Sequence, residues 1–136
     1  MQKNYDERFG RILGEWKRFI NSQPLENPLI IPEFIMDSWT RCREHHVNPY
    51  TTRVNKVLAQ KELDELLERN ANLVDISRPF MRNLYGFVRG SGFVVALFDD
   101  RGYMLDVLGD EDVLERVKQG NFVCGSCWTE EEAGTN

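Results

Sequence analysis

The apolar residues of this chain change their repeat once, at Gly90-Ser91-Gly92, and that change sets the folds open to it. Upstream, apolar side chains recur at steps of three and four, the spacing that gathers them on one face of a helix. Downstream, Phe93-Val94-Val95-Ala96-Leu97-Phe98 is an unbroken apolar run that reads as a strand buried on both faces. Asp99-Asp100-Arg101-Gly102 supplies a turn, and Tyr103 to Leu108 returns as the partner strand. Gly90 suits a left-handed helix cap. The expected fold is α+β: a mostly helical N-terminal extension, then a domain with a β-hairpin.

The helical part divides into segments. Tyr5, Phe9, Ile12, Trp16 and Phe19 form a sustained seam, widened by Leu13 and Ile20, and Asn21-Ser22-Gln23-Pro24 ends it. Such a seam packs on its own domain or serves as a dimer contact in a short coiled coil, and the spacing allows both. A second helix should begin at Pro32, carry Phe34, Ile35, Trp39 and Cys42 toward a core, and stop before Asn48-Pro49. A third should run from about Lys61 to Arg89, with Pro79 kinking or dividing it because proline removes a backbone donor. Beyond the hairpin, Asp110 is placed to cap a short helix that Gly120 stops. Thr129-Glu130-Glu131-Glu132 has the form of a capping box, announcing a helix that continues to the last residue, Asn136.

Charge and hydropathy narrow the function. The net charge of −5 disfavours direct nucleic-acid contact by this segment, which would need a basic stripe. No apolar run approaches the length of a membrane span, and the N-terminus lacks the apolar centre of a signal peptide. A cytoplasmic protein with no membrane partner is expected. There is no glycine-rich phosphate loop and no nucleophile–base pair with an orienting third group, so the chain is not expected to be an enzyme.

Three islands carry a family resemblance. Ser38-Trp39-Thr40-Arg41-Cys42 resembles the SW-x-RC signature of sigma-54-dependent transcription activators of the acetoin-catabolism type. Gly90-Ser91-Gly92 leading into the apolar strand, with Asp99-x-x-Gly102, resembles the opening hairpin of their GAF domain. Gly125-x-x-Trp128-Thr129-Glu130, then Gly134-Thr135-Asn136, is similar to their closing segment. The resemblance implies a helical region over 1–57 and the first part of a GAF-like sensory domain over 58–136, with the domain cut short. It also implies signal reception and relay: a small-molecule effector held by the complete GAF domain, and a separate ATPase and DNA-binding part elsewhere. A homodimer is expected, formed through the Tyr5–Phe9–Ile12–Trp16–Phe19 seam or through the hairpin, whose open edges template pairing with another chain.

Candidate residues follow from these elements. Val95 and Leu97 on the strand, with Phe122 and Trp128, are candidates to line an effector pocket, with core packing the favoured reading for Phe122 and Trp128. Cys124-Gly125-Ser126-Cys127 admits a redox pair, or half of a zinc site completed by Cys42 with His45 or His46. The favoured reading is two incidental loop thiols, dispensable for folding, with no metal and no cofactor. His45 and His46 read as a helix C-terminus, where imidazolium meets the negative end of the dipole.

Overall fold

The N-terminal seam folds as α1, Gln2–Ile20, in a computed structural model that describes residues 2–135. Ser22, with φ 55, takes the left-handed conformation just beyond the helix end. The chain forms two compact units, one comprising the residues up to Pro49 together with Thr135, the other Tyr50–Gly134.

In the first unit a short 3-10 helix, Pro28–Ile30, and α2, Glu33–Glu44, follow α1. Pro32 occupies the N-cap of α2, and the helix closes before His46, whose φ is 57. The unit is organised around polar as well as apolar anchors. Glu15 is 5% exposed on α1, and its carboxylate accepts the backbone N–H groups of Glu26 (3.1 Å) and Asn27 (2.9 Å). A buried carboxylate that takes two amides satisfies both itself and the turn it holds. Phe19 packs on Trp39 with ring centroids 5.5 Å apart, and the Arg43 guanidinium stands over the Phe19 ring at 4.5 Å. Within this unit the Thr135 Oγ1 lies 2.7 Å from Ser38 Oγ.

The second unit contains α3 (Gln60–Arg69), α4 (Ala71–Val88), β1 (Val94–Phe98), β2 (Met104–Gly109), α5 (Glu111–Lys118) and α6 (Glu130–Ala133). The long helix expected from Lys61 to Arg89 is two helices, and the division falls at Asn70 rather than Pro79. Asn70 adopts φ −104 and ψ 12, and its side-chain amide donates to the Leu66 carbonyl at 2.9 Å. Its own carbonyl accepts from Val74 at 3.0 Å, so one residue closes α3 and opens α4. Helix α4 runs through Pro79.

Strands β1 and β2 pair antiparallel, Val94 opposite Gly109 and Leu97 opposite Asp106. The register then slips, Phe98 facing Met104, so that Leu105 is the extra residue of a bulge. Helix α4 packs on both strands, and Leu66, Val74 and Leu105 form a buried cluster joined by Leu58, Leu63, Leu67, Leu97 and Tyr103. The expectation of a doubly buried strand does not hold: Val94 to Phe98 are all half-buried, and Phe93 is exposed. One helical layer covers one face, whereas double burial needs a layer on each.

The hairpin is not isolated. Met104 donates to the Ser126 carbonyl (2.9 Å), and Gly125 donates back to Met104 (2.8 Å). On its other side the same segment receives Leu58 N–H at Gly125 O (3.0 Å), while Cys127 donates to Lys56 O (2.9 Å). Isolated bridges Tyr103–Cys127 and Val57–Ser126 mark this three-ply arrangement. The last helix departs from expectation as well. It ends at Ala133, where Gly134 turns to φ 81, and Thr129 caps it without a side-chain hydrogen bond.

Candidate functional site

The turn between the strands is built by one carboxylate. Asp99 Oδ1 accepts from Arg101 N–H (3.0 Å) and Tyr103 N–H (2.8 Å), while its backbone pairs with Tyr103. Gly102 completes the turn at φ 81, and its carbonyl receives the Trp128 N–H at 2.8 Å. The turn therefore positions Trp128. Its indole Nε1–H donates to Ser126 Oγ (2.8 Å), which fixes the ring against the hairpin.

Three rings meet there. Phe122 and Trp128 stand edge to face with centroids 5.0 Å apart, and Phe98 lies 6.3 Å from Phe122. All three are half-buried. The sequence-selected set is thus split. Phe122 and Trp128 come together, with Phe98 as a third member. Leu97 instead packs into the cluster of α3 and α4, and Val95, two residues away, shares its face of β1 by strand alternation. Phe98 was hidden in the sequence because a six-residue apolar run does not reveal which members face which layer.

The opposite end of the hairpin is tied by Asp110. This residue occupies the N-cap of α5 without a side-chain cap bond. Its carboxylate instead accepts the Tyr85 hydroxyl (2.7 Å) and the Gly90 N–H (2.7 Å), joining the end of α4 to the end of β2. The Tyr85 hydrogen bond and then the Gly90 amide hold the Asp110 carboxyl below its ordinary value, and the same bond raises the Tyr85 phenol.

The cysteine pair is not a loop feature throughout. Cys127 is 1% exposed within the bridged segment, and Ser126 beside it is fully buried. Cys124 is half-buried, its thiol near the Leu105 carbonyl at 3.5 Å, and burial pushes that thiol up. A raised thiol is the reverse of what a reactive thiolate needs. Cys42, His45 and His46 lie on and just beyond α2 in the first unit. Of the α1 seam, Phe9 is exposed, Ile12, Trp16 and Phe19 are half-buried, and the Tyr5 side chain lies outside the described residues. No helix among the described residues is long and apolar enough to cross a membrane.

The chain is homologous to a segment of bacterial transcriptional regulators of the acetoin-catabolism type. It is 34% identical over 124 residues, 91% of its length, to the acetoin dehydrogenase operon transcriptional activator AcoR of Bacillus subtilis, of which it covers 20%. It is 33% identical over 104 residues (76% of the chain, 16% of the relative) to a signal-transduction and transcriptional-control protein of Clostridium beijerinckii. With the acetoin catabolism regulatory protein of Cupriavidus necator it shares 32% over 102 residues (74% of the chain, 15% of the relative). The chain therefore spans about a fifth or less of the length of these curated relatives. No family model and no solved structure matches it.

Proposed function

We propose that this chain is the signal-receiving region of a bacterial sigma-54-dependent transcription activator, that it is not an enzyme, and that a small uncharged effector docks at the Phe98–Phe122–Trp128 corner of a GAF-like domain. The observation that carries this reading is the match to the AcoR activator over nine-tenths of the chain. The site chemistry supports it. Aromatic walls with few polar groups suit a small apolar or weakly polar metabolite, and this corner is built by three rings with one indole N–H already engaged. The hairpin then couples outward. Trp128 hangs from the Gly102 turn, and the far end of the hairpin is pinned to α4 through Asp110, so an occupant that shifts the corner bears on α4.

Thermal-shift and tryptophan-fluorescence titrations with small hydroxyketones and diols, acetoin among them, test the proposal. A saturable shift that Phe122→Ala abolishes, in a variant retaining its circular dichroism, is the expected result. No response to any member of such a panel, or a response unchanged in Phe122→Ala, would remove the effector from this corner.

A further inference from the structure

Two of the sequence islands, Ser38–Cys42 and Gly134-Thr135, have no part in the aromatic corner, yet their residues have definite tasks. On α2, Ser38 and Cys42 stand four positions apart and so share a face. Thr135 Oγ1 lies 2.7 Å from Ser38 Oγ and 3.6 Å from Cys42 Sγ. Between these positions Trp39 turns to the Phe19 ring of α1, and Thr40 donates to the Met36 carbonyl of its own helix. Gly134 ends α6 at φ 81 and ψ −164, a conformation essentially reserved to glycine. The glycine turns the chain, and the threonine after it supplies the hydroxyl.

We propose that Ser38, Cys42 and Thr135 form a releasable latch that holds the chain after α6 on α2, so that α2 responds when the segment lets go. Three observations make this a latch and not a piece of core. Thr135 is exposed whereas Ser38 is 5% exposed, so an exposed residue reaches a buried seat through polar atoms. Opening such a link uncovers little apolar surface, and apolar burial is the larger barrier to separation elsewhere in a fold. Gly134 places a backbone turn directly before the held residue, which lets Thr135 leave while α6 stays formed. The seat, finally, lies on a helix engaged at a second point. Phe19 meets Trp39 with centroids 5.5 Å apart, and the Arg43 guanidinium stands 4.5 Å over the same ring. A displacement at Ser38 and Cys42 therefore bears on the contact of α2 with α1. The latch stands apart from the effector reading, since it uses none of the corner residues.

The test uses the intact 136-residue chain and the rate at which iodoacetamide alkylates each cysteine, resolved by peptide mass spectrometry. Thr135→Val keeps the side-chain shape and removes the hydroxyl. It should speed alkylation at Cys42 by about threefold to tenfold, the ratio set by one hydrogen bond of ordinary net strength. Thr135→Ser should restore the wild-type rate. Gly134→Ala removes no latch atom, yet it should speed Cys42 as Thr135→Val does. Alkylation at Cys124 should be the same in Thr135→Val as in wild type, which separates opening of the latch from loss of fold. Ser38→Ala should add little to Thr135→Val, because the two share one bond. A Cys42 rate indifferent to Thr135→Val or to Gly134→Ala, an equal acceleration at Cys124, or Thr135→Ser behaving as Thr135→Val would each overturn the latch. Additive effects of Ser38→Ala and Thr135→Val would do so too.

Discussion

Asp110 shows how a side chain chosen for one local task is taken by a longer-range one. Its position before α5 is the place for a helix cap, yet both of its oxygens serve Tyr85 and Gly90. The Tyr85 hydroxyl, then the Gly90 amide, lowers the Asp110 carboxyl from the ordinary 3.8, so its contribution to stability is fully present above that value and is lost as pH falls through the depressed one. Melting temperatures of the wild type and Tyr85→Phe should therefore differ at neutral pH and converge as pH is taken below 3.8. A gap that stays constant through that range would assign the difference to packing alone. Cys127 makes the complementary case. With its thiol buried among bridged backbone, Cys127→Ser should cost about 1–2 kcal/mol because a smaller, more polar hydroxyl replaces it. Cys124→Ser, at the half-buried position, should cost less than half of that in a denaturant titration. This revises the expectation that both thiols are dispensable.

Among the elements, those with one dominant local cause were legible in the sequence and those set by partners were not. The seam Phe9–Ile12–Trp16, the proline before α2 and the Asp99–Gly102 turn each dictate their own geometry, and the structure has α1, α2 and the hairpin where they point. The division at Asn70 was concealed because its neighbours continue the helical spacing. Only the closure of the amide on Leu66 separates α3 from α4. The bridged Gly125–Trp128 segment has too few residues and too many small ones to look like a strand, and its pairing depends on Lys56–Leu58 and Met104, far away in sequence. Of the candidate site, Phe122 and Trp128 were legible and Phe98 was not. The turn that holds this corner is testable at Gly102. A Cβ there would sit 3.0 Å from the Thr129 Cγ2 at a φ of 81, so Gly102→Ala should destabilise by about 1–2 kcal/mol. Because Trp128 N–H hangs from the Gly102 carbonyl, a shift in tryptophan emission should accompany the loss; unchanged emission would mean that the turn does not set the ring.

At the scale of the whole chain, the two units differ in what holds them. The second has the cluster of Leu66, Val74 and Leu105, and beyond it fully buried Met104, Val54 and Cys127. In the first, the buried residues among those described are Ile31, Ser38 and Glu15, two of the three polar. Stability drawn from apolar burial scales with the area removed from water, so the second unit should be the more resistant to opening. The segment that joins them is well placed for cleavage. Asn48, Pro49 and Tyr50 are exposed, as are Thr52 and Arg53, and regular helix resumes only at Gln60. A limited digest should cut first between about Val47 and Arg53, where an open chain fits a protease cleft. The C-terminal product should keep its hairpin, because Leu58, Leu63 and the bridged Gly125–Cys127 segment remain with it. Hydrogen exchange should rank in the same order, with amides of α1 and α2 exchanging ahead of those in α4 and β2. Leu105 of β2 and Val74 of α4 belong to one buried cluster, so amides of these two elements should exchange only when that cluster opens. Protection equal across α1 and α4, or a first cut inside α3–α4, would mean that the two units open together and that the apolar cluster is not the limiting element.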